Sequence, residues 1–215
     1  MTVVELPDVV PIFPLSGALL LPRGVLPLNI FEPRYLTMIK DALQGKKMIG
    51  VIQPLGPNAT VEDPPVYPHG CIGLIREYQE TDDGRILIAV EGLSRFRILE
   101  ELTCTTPYRQ VLTSYQDFES DQNQNSFVDL NLRSHFLDAL GKYLIGRGLA
   151  IDHETVADLQ DEALINSLAM TCPFGPAEKQ ALLENISLDE RANTMIALMN
   201  FALAEANAKN KTPKH

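Results

Sequence analysis

The sequence predicts an α+β protein in two parts, a β-rich first part with one inserted helix and then a helical bundle of about four helices. Twelve of the 15 prolines precede residue 110, which excludes long helices from the first part. The stretch "GCIGLIREYQETDDGRILIAVEGLSRFRILEE" predicts a hairpin, with its turn at 82–84 and a period-two pattern after the turn. Beyond residue 126, apolar residues recur at helical spacing behind N-capping signatures.

Short apolar runs bounded by proline or glycine predict the other strands of the first part. They are "VVPIFPL", "VLPLNIF" and "KKMIGVIQP". In the hairpin, Ile86, Ile88 and Val90 share one face, and the same parity resumes at Phe96 and Ile98 beyond the glycine at 92. Period two over this length predicts a half-buried strand that bends at the glycine.

One helix interrupts these strands. Pro33 suits a first helical position, because its missing N–H would have no partner within the helix. Leu36, Ile39 and Leu43 follow at spacings of three and four, and Gly45 predicts the end of the helix.

A polar segment separates the two parts. Residues 116–126, "QDFESDQNQNS", contain few aliphatic residues and are expected to form a linker. The expected domains are therefore residues 1–115 and 127–208, with a frayed tail at 209–215. Helix N-termini in the second part are predicted at three [ST]-x-x-[DE] pairs, Ser126/Asp129, Thr155/Asp158 and Ser187/Glu190.

Composition limits the classes of function. The formal net charge is −10, with 10 Lys and Arg against 13 Asp and Glu in residues 1–115 and 8 against 15 thereafter. This balance argues against nucleic acid and anionic membranes as partners. Three dispersed cysteines, no long apolar run and no basic leader at the start predict a cytoplasmic protein.

Motifs for catalysis and metal binding are incomplete. Gly45-Lys46-Lys47 lacks the rest of a P-loop, no G-x-G-x-x-G occurs, and "HETVA" has Ala157 where a zinc-protease helix needs its second histidine. The stretch 92–94, "GLS", has no following glycine. We therefore expect no enzyme, no cofactor and no metal. A metal at His69 and Cys71 would need a distant third ligand, and a Ser–Lys dyad formed by the fold stays open.

The segment "FEPRY", residues 31–35, joins a strand to the helix. Glu32 can accept hydrogen bonds from free N–H groups at the helix start, and Arg34 can pair with a carboxylate on a neighbouring strand. Phe31 and Tyr35 are expected to pack the helix on the sheet. The sequence favours a structural joint here, with recognition as the second role.

Several ordered motifs together resemble a known family. "VPIFPLSGALLLPRGVLPLNIFEPRYLTMIKDAL", "GVIQP", the hairpin given above and "KQALLENISLDERANTMIAL" closely resemble the amino-terminal substrate-binding domain of Lon (protease La) over about residues 8–205. The resemblance implies a PUA-like β domain followed by a helical bundle. Lon continues into an ATPase and a serine–lysine peptidase, which have no counterpart here, so we expect a stand-alone bacterial Lon-domain protein.

The resemblance also implies a function. Lon amino-terminal domains contribute to holding substrate polypeptides, so we expect a non-catalytic polypeptide-binding or adaptor module of protein quality control. Its expected partners are unfolded or degron-bearing polypeptides and a Lon-type protease. The residues that match family motif positions, and are thus candidates for polypeptide binding, are Phe31, Glu32, Arg34, Tyr35, Arg95 and Phe96.

Two other functions stay open. PUA-like folds often bind RNA, and a local basic patch could form from Arg23, Arg76, Arg95, Arg97 and Arg109 in the β-rich part. A small hydrolase with a site assembled only by the fold is the other alternative. The protein is expected to be a monomer or a weak homo-oligomer, with Met195, Met199 and Phe201 serving either the core or a dimer interface.

Overall fold

The two-part organisation predicted from the sequence is confirmed. The computed structural model describes residues 5–56, 63–122, 127–149 and 159–211. The chain divides into two compact units, the β unit (residues 1–123) and the α unit (residues 124–215).

The β unit contains a six-stranded sheet with one α-helix inserted between its second and third strands. The strands follow the order β2-β5-β4-β3-β1-β6, and β5 also pairs with β6. Five strands therefore close on themselves, and β2 extends the sheet beyond β5. The elements are β1 (Val9–Pro14), β2 (Val25–Ile30), α1 (Pro33–Gln44), β3 (Met48–Pro54), β4 (Val66–Glu80), β5 (Ile86–Leu102) and β6 (Gln110–Ser114).

The long strand β5 connects the two regions of this sheet. Its first half pairs with β2 and its last residues pair with β6, while β4 lies along most of its length. The predicted bend is present at Gly92, where the register with β4 shifts by one residue. A Cβ atom at Gly92 would lie 2.1 Å from the carbonyl oxygen of Leu21, so only glycine fits this approach of two backbone segments.

The core of the β unit is built around the ring of Phe96, which is fully buried. Glycines on two neighbouring strands make room for this ring, because a Cβ at Gly50 or Gly70 would lie 3.0 or 2.7 Å from its atoms. Phe96 shares its strand parity with Ile86, Ile88 and Val90, which are buried as well. The other buried members of the cluster are Val10, Ile12, Met48, Ile52, Ile72 and Val111.

The segment expected to be a linker departs from that expectation. Gln116–Gln122 forms a 3-10 helix in the β unit, and Phe118 and Asp121 in it are 2% and 6% exposed. The cause is a buried cation: the side chain of Arg95 binds the Asp121 carboxylate and lies over the Phe118 ring. Although its composition is polar, this 3-10 helix is therefore packed on the β unit and is not a flexible linker.

The described residues of the α unit form four helices, α2 (Leu130–Gly146), α3 (Asp161–Thr171), α4 (Pro176–Glu184) and α5 (Leu188–Lys211). The capping box at Ser187 and Glu190 is confirmed, since the Glu190 N–H donates to Ser187 Oγ and the Ser187 N–H donates to Glu190 Oε2. Asp129 caps α2 by accepting from the N–H of Asn131 at 2.8 Å. Ser126 and the pair Thr155/Asp158 lie outside the described residues.

Helices α2 and α5 contribute the main core residues of the α unit. Phe136, Leu140, Met195 and Met199 are at most 1% exposed, so both methionines belong to the core. Arg191 is also buried there, and its guanidinium donates to backbone carbonyls and to an asparagine side chain. These bonds compensate for burying its charge.

Candidate functional site

The candidate site is the α1 junction, which we define as residues 31–35 together with the cleft they border. Strand β2 ends at Ile30, and the helix begins at Pro33 as predicted. The side chain of Phe31 is 63% exposed, whereas that of Tyr35 is 6% exposed. The expectation that both rings pack the helix on the sheet is therefore wrong for Phe31, whose ring faces solvent.

Glu32 and Arg34 bind each other across the first turn of α1. The Nε and Nη2 atoms of Arg34 both lie 3.1 Å from Glu32 Oε2, and Nη1 lies 3.6 Å from Asp63 Oδ1. The Glu32 side chain makes no capping hydrogen bond to the helix, so the capping role expected from the sequence is wrong. The Glu32 carboxylate accepts from the Arg34 guanidinium instead, because a hydrogen bond between opposite charges is stronger than one to a neutral backbone N–H.

Tyr35 fixes the helix to the sheet. Its ring packs edge-on against Phe13 of β1, with centroids 4.5 Å apart, and Arg34 lies over its face at 4.6 Å. Burial raises the pKa of the Tyr35 phenol. This residue is a packing element, as the joint interpretation of the segment predicted.

A small, partly open cleft adjoins the junction. Its lining residues are Ile12, Pro14, Arg34, Tyr35, Asp63, Pro107, Tyr108 and Arg109. The cleft has room for about one water molecule. The contribution of residues 107–109 is not predictable from local sequence, because the pairing of β1 with β6 brings this distant segment close to the helix.

Hydrogen bonds fix the polar walls of the cleft. The Tyr108 hydroxyl donates to Asp41 Oδ2 at 2.8 Å, and burial together with this bond raises its pKa to about 12. Arg109 donates from Nε and Nη2 to the two carboxylate oxygens of Glu101 at 2.6 Å, which raises the pKa of Arg109 and lowers that of Glu101. The charged walls are therefore neutralised in pairs, and the described residues of the cleft can orient a polar group but include no activated nucleophile.

The two remaining sequence candidates lie elsewhere. Arg95 and Phe96 are 2% and 0% exposed, within the β unit. Neither can contact a polypeptide at the surface, so this part of the candidate set is corrected. Both residues support the fold: Phe96 fills the core and Arg95 binds the 3-10 helix.

The arginines considered for RNA binding do not form a free basic patch. Arg76, Arg97 and Arg109 each bind a carboxylate, as Arg95 does. Arg23 donates to the carbonyl oxygen of Asp121 at 2.8 Å. Guanidinium groups held by carboxylates contribute less to attracting phosphates, so this pairing argues against RNA.

The chemical alternatives gain no support from the described residues. Ser94 is 1% exposed, and its hydroxyl donates to the carbonyl oxygen of Arg95. Lys179 is 8% exposed, and its Nζ atom donates to the carbonyl oxygen of Met170. In the part of the chain that the structure describes, no group of three or more His, Cys, Asp or Glu could hold a metal ion. Residues 153–157, the "HETVA" stretch, lie outside the described residues.

Across the described ranges, no helix has both the length and the apolar character needed to cross a membrane.

Comparison with known proteins decides the family. The model of the family described as the ATP-dependent protease La (LON) substrate-binding domain matches residues 9–200. The chain belongs to this Lon substrate-binding domain family. The resemblance found in the sequence motifs is thereby confirmed.

The chain is similar to curated proteins named as Lon proteases. It is 30% identical over 220 residues to the Lon protease of Parabacteroides distasonis. This alignment covers 97% of this chain and 26% of the relative. It is 28% identical over 202 residues to Lon protease 2 of Myxococcus xanthus, covering 91% of this chain and 24% of the relative. The chain thus spans about a quarter of the length of the curated relatives it matches.

Solved structures confirm the fold of this Lon domain. The Lon N-terminal domain protein from Xanthomonas campestris aligns with a TM-score of 0.66 at 18% identity, covering 88% of this chain and 97% of that one. The N-terminal domain of the Mycobacterium avium complex Lon protease aligns with a TM-score of 0.62 at 16% identity, covering 89% and 98%. At these identities the likeness concerns the fold alone.

Proposed function

We infer that this Lon-domain chain is a non-catalytic module that binds polypeptides through the α1 junction. The observation that carries this proposal is the exposed ring of Phe31, which stands beside the Glu32–Arg34 pair at the surface of a domain from a substrate-binding family. An exposed aromatic ring with polar groups around it is a typical anchor for a partner's apolar side chain. Glu32 and Arg34 can then contact the partner's backbone.

The chemistry of the site supports binding over catalysis. Each charged group that borders the cleft has a partner of opposite charge or a hydrogen bond, and the serine singled out by the sequence is buried. Such a surface can hold a polypeptide without changing it. The expected partners are unfolded or degron-bearing polypeptides, with a Lon-type protease as the protein that would receive them.

Fluorescence anisotropy tests this function. Reduced, carboxymethylated α-lactalbumin serves as a permanently unfolded partner, the native disulfide-bonded protein as its folded control, and a labelled single-stranded RNA as the alternative ligand. We expect saturable, micromolar binding of the unfolded protein that persists at moderate salt, and no binding of the folded control. Equal binding of both forms, or no binding of the unfolded one, would contradict the proposal. RNA binding that collapses with salt would favour the alternative.

A further inference from the structure

The outer edge of strand β2 is open. Among the described residues, β2 pairs with β5 on one side and with no strand on the other. The N–H of Gly92 donates to the carbonyl oxygen of Gly24 at 2.8 Å, so this carbonyl faces β5, whereas the N–H of Gly24 donates to the carbonyl oxygen of Leu21. Because these directions alternate along a strand, the backbone groups of Val25, Pro27 and Asn29 point away from the sheet.

The side chains at this edge are exposed and mostly apolar. Val25, Pro27 and Asn29 are the exposed positions of β2, and Val25 is 56% exposed. Leu87, which pairs with Asn29 in the register, is 41% exposed, and Phe31 follows the strand directly. The open edge therefore borders an apolar strip that leads to the α1 junction.

The usual protection of a strand edge is weak here. Proteins normally protect open edges with lysines, inward-pointing charges, bulges or proline. The stretch "VLPLNIF", residues 25–31, has no charged residue. Of these protective features it contains only a proline, Pro27. Pro27 removes a single outward N–H and leaves its carbonyl free to accept.

We propose that β2 binds its polypeptide partner by strand addition, with an extended, proline-free, largely apolar segment of about six residues pairing along the outer edge. This proposal rests on the proposed function and specifies its mode. Backbone hydrogen bonds at Val25, Pro27 and Asn29 provide affinity without reading a sequence. The exposed strip beside them selects apolar side chains.

An external polypeptide fits this edge better than a second copy of the chain does. Two copies of β2 paired antiparallel about Pro27 would place proline opposite proline, and neither could donate at the centre. A proline-free partner donates one bond to the Pro27 carbonyl. The net charge of −10 also opposes self-association and favours a neutral or cationic segment.

Backbone methylation of a peptide tests the mode directly. The probe is a fluorescein-labelled peptide of alternating Thr and Val with a Lys at each end, methylated on all its Val amides, on all its Thr amides, or on none. Added strands use the N–H groups of one edge only. We expect one methylated form to lose at least tenfold in affinity while the other binds within about threefold of the parent. Equal affinities for the two forms would overturn strand addition.

Substitutions in β2 provide a second test of strand addition. They are made in the full chain, and sedimentation analysis verifies that each variant is monomeric. Asn29→Pro removes an outward N–H and should weaken peptide binding about tenfold, at least fivefold more than Asn29→Ala, which keeps that N–H. Pro27→Thr restores an N–H and should strengthen binding about fivefold. Equal peptide affinities for Asn29→Pro and Asn29→Ala would overturn the proposal. If Asn29→Pro does not fold, the peptide affinities of Pro27→Thr and of the methylated peptides test strand addition in its place. Binding of unfolded α-lactalbumin without any edge dependence would leave the proposed function standing while removing this mode.

Discussion

Arg95 and Asp121 form an ion pair inside the β unit, with Nε and Nη2 of Arg95 donating to the two carboxylate oxygens at 2.9 and 2.7 Å. The backbone N–H of Arg95 also donates to Asp121 Oδ2 at 2.8 Å. The guanidinium lies 4.3 Å from the centre of the Phe118 ring. These contacts attach the 3-10 helix to β5, so the last residues of the β unit are part of its fold.

Removing the charge of Asp121 should therefore destabilise the β unit. Asp121→Asn leaves a buried guanidinium without its counter-charge, and we expect a loss of about 3–5 kcal/mol. The matched control is Asp117→Asn on the same 3-10 helix, where the pair with Arg97 is about 44% exposed and should contribute less than about 1 kcal/mol. Hydrogen exchange of the β5 amides measures both losses. Similar losses in the two variants would show that burial does not govern the contribution of these pairs.

Local signals were enough to predict most elements of the fold. Pro33 marks the start of α1, Gly45 follows its last residue, and the turn at 82–84 connects β4 to β5, with Gly84 at a positive φ of 81°. Each of these signals acts within a few residues. Side-chain partners were harder to predict, because the choice depends on the folded backbone. Arg34 was expected to pair with a carboxylate on a neighbouring strand, but its guanidinium donates to Glu32, two positions away in the chain.

The candidate site was predicted only in part because family motifs mix two kinds of residue. Phe31 and Phe96 both match such positions, yet one is 63% exposed and the other is fully buried. Strand parity groups Phe96 with Ile86, Ile88 and Val90, which are buried, whereas a motif match does not separate buried from exposed positions. The bond from Tyr108 to Asp41 spans 67 positions in the chain, and no local pattern indicates it.

Two glycines should respond to alanine in opposite directions. Gly92→Ala places a Cβ 2.1 Å from the Leu21 carbonyl oxygen, so backbone must move, and we expect a loss of about 1–3 kcal/mol. Gly141 lies within α2 with no atom within 4 Å of a built Cβ, so Gly141→Ala should stabilise the α unit by about 0.5–1 kcal/mol. Urea unfolding of the two variants beside the parent chain measures both effects. Destabilisation by Gly141→Ala would mean that the α2 surface is not as open as the structure has it.

Tyr108 should make stability depend on pH in the alkaline range. Its pKa is raised from 10.0 to about 12, so the folded state holds the proton more tightly than the unfolded state does. The resulting stabilisation is complete below pH 10.0 and is lost as the pH rises through about 12, an effect of about 2–3 kcal/mol.

The Tyr108→Phe variant isolates this effect. At pH 8 it should be about 1 kcal/mol less stable than the parent, because the bond to Asp41 is lost. The difference should shrink and then reverse in sign as the pH approaches 12, because only the parent loses stability at this position. Urea unfolding at pH 8, 10 and 11.5 measures the difference in free energy of unfolding between the parent and the variant. The contributions of the other tyrosines cancel in this difference. A difference that stays constant over this range would contradict the raised pKa.

Phe31 should contribute to polypeptide binding and little to stability. Its ring is 63% exposed, so Phe31→Ala removes a surface anchor without opening a cavity, and we expect unfolded α-lactalbumin to bind about tenfold more weakly. Phe201 in the α unit is 60% exposed and provides a control of equal chemistry, since Phe201→Ala should leave this binding within about twofold of the parent. Anisotropy titrations of the two variants, with thermal unfolding as a check on folding, compare the sites directly. Equal losses of affinity would indicate a general apolar effect in place of recognition at the α1 junction, and a loss confined to Phe201→Ala would move the binding surface to the α unit.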